Sequence, residues 1–439
     1  MSDRRVAVTG LGLVTPAAVG TDETFEAFLT GSSFLRTIDL FDAGGFSCSF
    51  GGQLQEKFSA RKFVPKSYRK SVKVMARDIE IAVAAADLAF RDAGFRTRGV
   101  EEGQTEIAAK RSGCNIGAGL ICADLDELGF AAVTAVRDGK FNLKAWGEEG
   151  MNNLTPLWLL KYLPNMLSCH VTIIHGLEGP SNCITCGDVS GYLSAIESAN
   201  WVKENNADVA IVGGAESKMN QMGLLRQGML GRLIRTTGAE PTTALRPFDA
   251  DHDGTAVGEG GGMAILEDMS GAENRGARIY CEYLAGAGAC DPQGMMVENR
   301  ESVGNLDIAA SKALKKANLR PDEVDLVVTQ GTGVPQEDNA EIAAWNRVFA
   351  DRSEPVAAVS SRGAFGQLFA GTSGVDFGLA AKALETQIVP PTANFSAPAV
   401  QSKLQFRPEA GAAEINIVLC GGYSIGGQSG AIVLKRYSK

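Results

Sequence analysis

The sequence predicts an α/β protein built from two similar halves. Strand-like apolar runs alternate with helical runs along the whole chain, which argues for α/β layering. The same alternation starts again after a polar stretch, DMSGAENRG at 268–276, and this places a boundary between halves 1–268 and 269–439. A length of 439 residues is enough for two domains or one large duplicated unit. The repeat is one of grammar, and residue identities carry little of it.

Composition narrows the class. The chain is 45% hydrophobic and 21% charged, which is ordinary globular usage and argues against disorder. A net charge of -9 argues against a nucleic-acid binder. No apolar run is long enough to span a bilayer, and MSDRRVAVTG enters a strand pattern without a signal segment, so a soluble cytoplasmic protein is expected. Nine cysteines lie mostly inside apolar runs, where cysteine is a small hydrophobe. The odd count speaks against a disulfide framework. Cys183 and Cys186 form a C-x-x-C, but no second pair completes a four-ligand zinc site. There are three histidines, His170, His175 and His252, so any mechanism needing two must draw on these.

Taken in order, 5–14 reads as a strand ending in a glycine turn, and 21–30 as a short helix. TGLGLVTP lacks the third glycine of a dinucleotide fingerprint and opens no helix. Residues 61–77, RKFVPKSYRKSVKVMAR, carry seven positive charges and no negative one. Such a patch is either a solvated face or a docking site for an acidic partner. An alanine-rich helix follows over 77–94, with a glycine stop. A strand is expected over 112–120, a surface helix over 121–139, and a helical segment over 157–167 interrupted by Pro164.

The stretch 176–216 organises the rest. It reads as a turn, a short strand, a sharp corner at Gly187-Asp188, a long helix and a second strand ending in GGAE. Unpaired N–H groups and the helix dipole at such a corner favour an anion. Enzymes use such corners to present a nucleophile, often a cysteine of lowered pKa. Here the residue is Asp188. Further on, RPFDADHDGTAVGEGGGMAILE turns into a strand. The second half gives strands at 278–286, 324–329, 356–360, 415–420 and 431–435, and helices at 303–317 and 374–385.

These landmarks carry a resemblance. VAVTGLGLVTP, GLEGPS, DVAIVGGAE, RPFDADHDGTAVGEGGG, the GTG-x-P-x-x-D-x-x-E pattern after Gln330 and SSRGAFGQLFAGTSG are long and ordered. Over nearly its whole length the chain resembles β-ketoacyl-acyl-carrier-protein synthases of the elongating type, on the thiolase fold. The resemblance implies a five-layered, duplicated α/β arrangement. It also exposes departures. The family's cysteine nucleophile falls on Asp188, with Cys186 two residues early on the preceding strand. Its two catalytic histidines fall on Gln330 and Gln367, and its lysine on Arg362. None of the three histidines present matches the catalytic pair.

The departures bear on chemistry. Elongation needs a thiolate to hold the acyl chain and two imidazoles to stabilise the enolate formed by decarboxylation. Acylating a carboxylate would give a reactive mixed anhydride. A glutamine amide donates a hydrogen bond but does not titrate near neutral pH. The expectation is a non-catalytic homologue of the chain-length-factor kind, pairing as a heterodimer with an active synthase in fatty-acid or polyketide systems. Such factors mostly carry glutamine where this chain has Asp188. The alternatives are a decarboxylase or hydrolase using Asp188, and a homodimer without a partner synthase. By resemblance, Leu120, Ile121 and Leu125 approach the partner's acyl tunnel. Ile425 stands in a gating loop where phenylalanine is usual. Lys66, Arg69 and Lys70 match positions that dock the acidic carrier protein. No metal or cofactor of the chain's own is expected, and phosphopantetheine enters only as carried by an acyl carrier protein.

Overall fold

The protein is described by a computed structural model covering residues 4–438 except 56, 102–104, 237 and 296–302. The first half contributes β1 (Val6–Val14), β2 (Ser112–Gly117), β3 (Ser181–Ile184), β4 (Val209–Ser217) and β5 (Glu259–Asp268). The second contributes β6 (Cys281–Cys290), β7 (Leu326–Val328), β8 (Val356–Val359), β9 (Leu404–Gln405), β10 (Ile417–Tyr423) and β11 (Gln428–Arg436). The longer helices are α1 (Thr21–Leu29), α2 (Arg77–Asp92), α3 (Leu125–Thr134), α4 (Met166–His175), α5 (Ser190–Lys203), α6 (Gln221–Met229), α7 (Leu306–Lys316), α8 (Pro335–Val348) and α9 (Ala370–Thr386). None is long and apolar enough to cross a membrane.

The strands hydrogen-bond in the order β9-β8-β7-β10-β11-β6-β1-β5-β4-β2-β3. The duplication is written in the pairing directions. From β1 outward, β5 and β4 join antiparallel, then β2 and β3 join parallel. From β6 outward, β11 and β10 join antiparallel, then β7 and β8 join parallel. The halves meet along β1 and β6, where Val6 lies opposite Tyr283 and Val8 opposite Cys281.

Alternation along the strands produces the layers, because successive side chains point to opposite faces. Ala210 and Val212 of β4 and Val418 and Cys420 of β10 face a shared inner core filled by Tyr192 and Ala195 of α5 and Val375 and Leu379 of α9. Ile211 points the other way, onto Ile79 and Val83 of α2 and Val171 of α4. Leu419 and Val433 point onto Ala313 of α7 and Trp345 of α8. The sequence of layers is helix, sheet, helix, sheet, helix. The central helices press hard on their sheets. A Cβ on Gly374 of α9 would lie 2.2 Å from the Gly262 carbonyl oxygen, so only glycine allows this approach.

Two expectations are corrected. β2 stops at Gly117, not Leu120, and 118–124 is a loop. The surface helix does not run over 121–139. It begins at Leu125, where the Asp124 side chain accepts the Asp126 N–H at 2.8 Å. It ends at Thr134, and a hairpin pairs Val136–Arg137 with Lys140–Phe141 around Asp138 and Gly139, both at positive φ. The segment at 157–167 is helical and interrupted at Pro164 as expected, with Leu159–Tyr162 before the proline and α4 after it.

A buried polar cluster at the strand-to-helix corner

β3 ends at Ile184, so Cys186 does not sit on a strand as expected but half-buried in the corner itself. Gly187 takes φ 59°, a conformation that favours glycine, and opens a short 3-10 turn, Gly187–Val189, leading into α5. Asp188 is carried on this turn and is buried. The loop after β10 clamps the corner from the other half: Ser424 Oγ donates to the Cys186 carbonyl at 2.5 Å and accepts the Val189 N–H at 3.4 Å. Ile425 follows on the exposed side of that loop.

The structure brings together all four residues that the resemblance matched to catalytic positions. Gln367 Nε2 donates a short hydrogen bond to Asp188 Oδ1. Gln367 is placed by its backbone, which bonds to Ala256 and Gly258 at 2.9 Å on each side. Among the described residues its own Oε1 is buried without a partner. Arg362 Nη2 donates to Gln330 Oε1 at 3.3 Å. Arg362 is fully buried and pairs with Asp376 on α9 at 2.5 Å. Asp376 also accepts from Ser361 Oγ at 2.7 Å and Tyr192 OH at 3.4 Å. Gln330 is held from behind by Glu341 of α8, which accepts its backbone N–H and that of Gly331, each at 2.8 Å. Burial pushes Glu341 up to about 7 against those two bonds.

Electrostatics around Asp188 are set by ion pairs that motif reading did not find. Arg232 is buried and binds Glu337 of α8 through two bonds of 2.8 Å. Glu216 at the end of β4 pairs with Lys218 and accepts the Ala370 N–H at 2.8 Å. Burial raises Asp188 to about 6; Arg232 and Arg362 pull it down, Glu216 and Glu337 push it up. Each cation already has its own carboxylate, and among the described residues Asp188 has only the neutral Gln367 amide as a direct side-chain partner. Glu216 was visible as the end of GGAE. Nothing in the sequence linked Arg232 to Glu337.

The three histidines are elsewhere. His170 shares a hydrogen bond with Tyr68 OH at 2.9 Å, His175 with Thr97 Oγ1 at 2.7 Å, and His252 approaches Asp338 at 3.3 Å. Burial lowers His175 to about 3, so it stays neutral. Leu120 and Leu125 are exposed, while Ile121 is buried against the α2 core. Lys66, Arg69 and Lys70 are exposed; Lys66 opens one 3-10 turn, Lys66–Tyr68, and Arg69 and Lys70 join it to the next, Ser71–Val74. Among the described residues no cluster of three or more His, Cys, Asp or Glu could hold a metal ion.

An α/β protein with a five-strand and a six-strand unit joined edge to edge, and a helix-start site at the centre, defines a thiolase-fold protein. The family model described as "Beta-ketoacyl synthase, N-terminal domain" matches residues 3–272 and that described as "Beta-ketoacyl synthase, C-terminal domain" matches 280–396. The chain belongs to the beta-ketoacyl synthase family. It is 29% identical over 441 residues to the 3-oxoacyl-[acyl-carrier-protein] synthase 2 of Vibrio harveyi, covering 100% of both chains. A β-ketoacyl synthase structure from Burkholderia phymatum STM815 is similar at TM-score 0.85 and 24% identity, covering 99% of this chain and 100% of that one. The ishigamide ketosynthase/chain length factor structure is similar at TM-score 0.80 and 22% identity, with 99% and 100% covered. These two structural likenesses speak to the fold.

Proposed function

We propose that the chain is a non-catalytic ketosynthase homologue that pairs with an active β-ketoacyl synthase and shapes its acyl pocket, in fatty-acid or polyketide biosynthesis. The observation that carries this is the bonding at the corner. Asp188 is tied to Gln367 and Gln330 to Arg362, so neither a thiol nor an imidazole stands where elongation chemistry needs them. Pairing is supported by where apolar surface is left uncovered. Most of the large exposed apolar side chains lie between residues 120 and 173, among them Leu120, Leu125, Phe130, Val133, Phe141 and Leu143. Exposed apolar side chains gathered in one segment support an interaction surface there. It includes Leu120 and Leu125, which by this reading border the partner's acyl tunnel.

Native mass spectrometry of the protein purified from its own host tests the reading. A heterodimer with a similar-sized synthase bearing Cys and two His is expected, weakened by Leu143→Asp; a homodimer alone would remove the pairing. One observation favours a second reading: a carboxyl raised to about 6 can act as an acid or base near neutral pH. A malonyl-carrier decarboxylation assay separates the two. The pseudoenzyme reading expects no turnover by the chain alone; turnover lost in Asp188→Ala would make Asp188 catalytic.

Lys66, Arg69 and Lys70 form the carrier-protein contact in this reading, since their side chains reach solvent and the carrier is acidic. Reversing all three charges is expected to raise the KM of the assembly for its acyl carrier protein, with kcat little changed. An unaltered KM removes the contact.

A further inference from the structure

A cavity of about 540 Å³ is lined by Asp78 and Ser217, beside the Glu216–Lys218 pair. Leu125, one of the exposed apolar residues, is part of its lining. Its walls are mixed rather than apolar: Asp78, Ser217, Asn220 and Cys122 stand beside Leu125 and Met222.

Asp78 is the unusual member. It is 4% exposed and forms no ion pair among the described residues. Its Oδ1 accepts the Ser217 N–H at 3.1 Å. The cations beside it and in the cavity wall are already committed, Lys161 to Glu127 at 2.6 Å among them. Lys218 pairs with Glu216 and donates to the Leu120 carbonyl at 2.8 Å. Arg77 grips Glu259 through bonds of 2.9 and 3.0 Å. Burial pushes Asp78 up to about 7, which Lys218 opposes and Glu216 reinforces. A buried carboxyl with no cation of its own is costly unless further donors satisfy it. In this wall the remaining approach to Asp78 is through the cavity. A plain alkyl end would leave the carboxyl unsatisfied there; a hydroxyl or amino group would complete its hydrogen bonding.

We infer that this cavity receives the far end of an acyl chain, and that Asp78 selects chains ending in a hydroxyl or amino group over chains ending in methyl. The inference rests on the pairing reading, in which the partner's acyl tunnel runs to the apolar face. It assigns Asp78 as a specificity residue and the substrate class as acyl chains polar at their distal end.

The test uses the assembly as purified from its host and amide analogues of acyl-pantetheine that cannot be transferred. The analogues share one length and end in methyl, hydroxyl or amino. In wild type the hydroxyl and amino probes are expected to bind about tenfold tighter than the methyl probe, the size of one buried hydrogen bond. Asp78→Leu should abolish the preference while leaving methyl-probe affinity intact, and Asp78→Asn should keep the preference for hydroxyl alone. Equal binding of the three probes in wild type, or a preference that survives Asp78→Leu, overturns the inference. If Asp78→Leu does not fold, Cys122→Phe, at another lining position, narrows the cavity and should bring the hydroxyl probe down to the methyl level; no change there also overturns it. The same samples report oligomeric state. A heterodimer without preference removes the cavity assignment alone, and a homodimer with preference removes the pairing alone.

Discussion

Asp188 is held in a place where its charge is unwelcome, and that has a measurable effect. In the unfolded chain its carboxyl ionises near 3.8; in the folded protein burial moves this to about 6. Below the unfolded value both states carry the proton and Asp188 makes no difference. As pH rises toward 6 the unfolded chain gives the proton up first, so folding loses stability. Above 6 the loss is complete, about 3 kcal/mol. Asp188→Asn keeps an acceptor for Gln367 Nε2 and removes the charge. Urea denaturation should find the variant more stable by up to that amount at about pH 8 and no more stable at about pH 4. Equal stability at the higher pH would mean the charge is solvated. At this scale the sequence was legible where motifs run. Asp188, Gln330, Gln367 and Arg362 could be located because each sits at a fixed offset inside a glycine-marked stretch. Arg232 with Glu337, and Asp78 with its committed neighbours, were not legible. The first pair is 105 residues apart in the chain. Asp78 reads in the sequence as an ordinary acidic residue in the first turn of a helix, and only the fold shows that it faces a cavity.

Elements followed the pattern where burial is complete on a regular period. β1, β4, α2 and α9 fall within a few residues of their expected bounds because their apolar and glycine spacing has one reading. The stretch from 118 to 141 does not. Phe130, Val133, Val136 and Phe141 give it apolar content without a core to face, so its sequence reads as one long surface helix. Asp124 and Asp138-Gly139 supply the start and turn signals that cut it short. The closest packing of elements is made by glycine. Gly374 of α9 lies against Gly262 of β5 and Gly214 of β4, with a built Cβ 2.2 Å from one backbone and 2.7 Å from the other. Backbone cannot yield as a side-chain tip can. Gly374→Val is therefore expected to cost at least about 3 kcal/mol, more than common overpacking. Failure to recover soluble protein, or a large drop in Tm, is the expected result; a near-normal Tm would show that α9 can ride further from the sheets.

Over the whole molecule, the two halves are similar in topology but not independent in packing. Their seam in the sheet is short, running from Val6–Val8 of β1 to Cys281–Tyr283 of β6. What holds them is the inner core, since α5 from one half and α9 from the other fill the same space between the sheets. The duplication could be inferred from the alternation of strands and helices. The sharing could not, because periodicity states that a face is buried and not which half buries it. The link between the halves passes through Glu273–Gly276, all exposed. A protease site placed there would cut the covalent connection and leave the inner layer untouched. The nicked protein should elute as one species and melt in one transition. Expressed separately, each piece would carry its inner apolar face into water and be recovered only from aggregates, yet mixing the two during refolding should reassemble the intact particle. The chain is thus a complex of two fragments that happen to be translated together, and cutting its backbone should matter less than losing either partner.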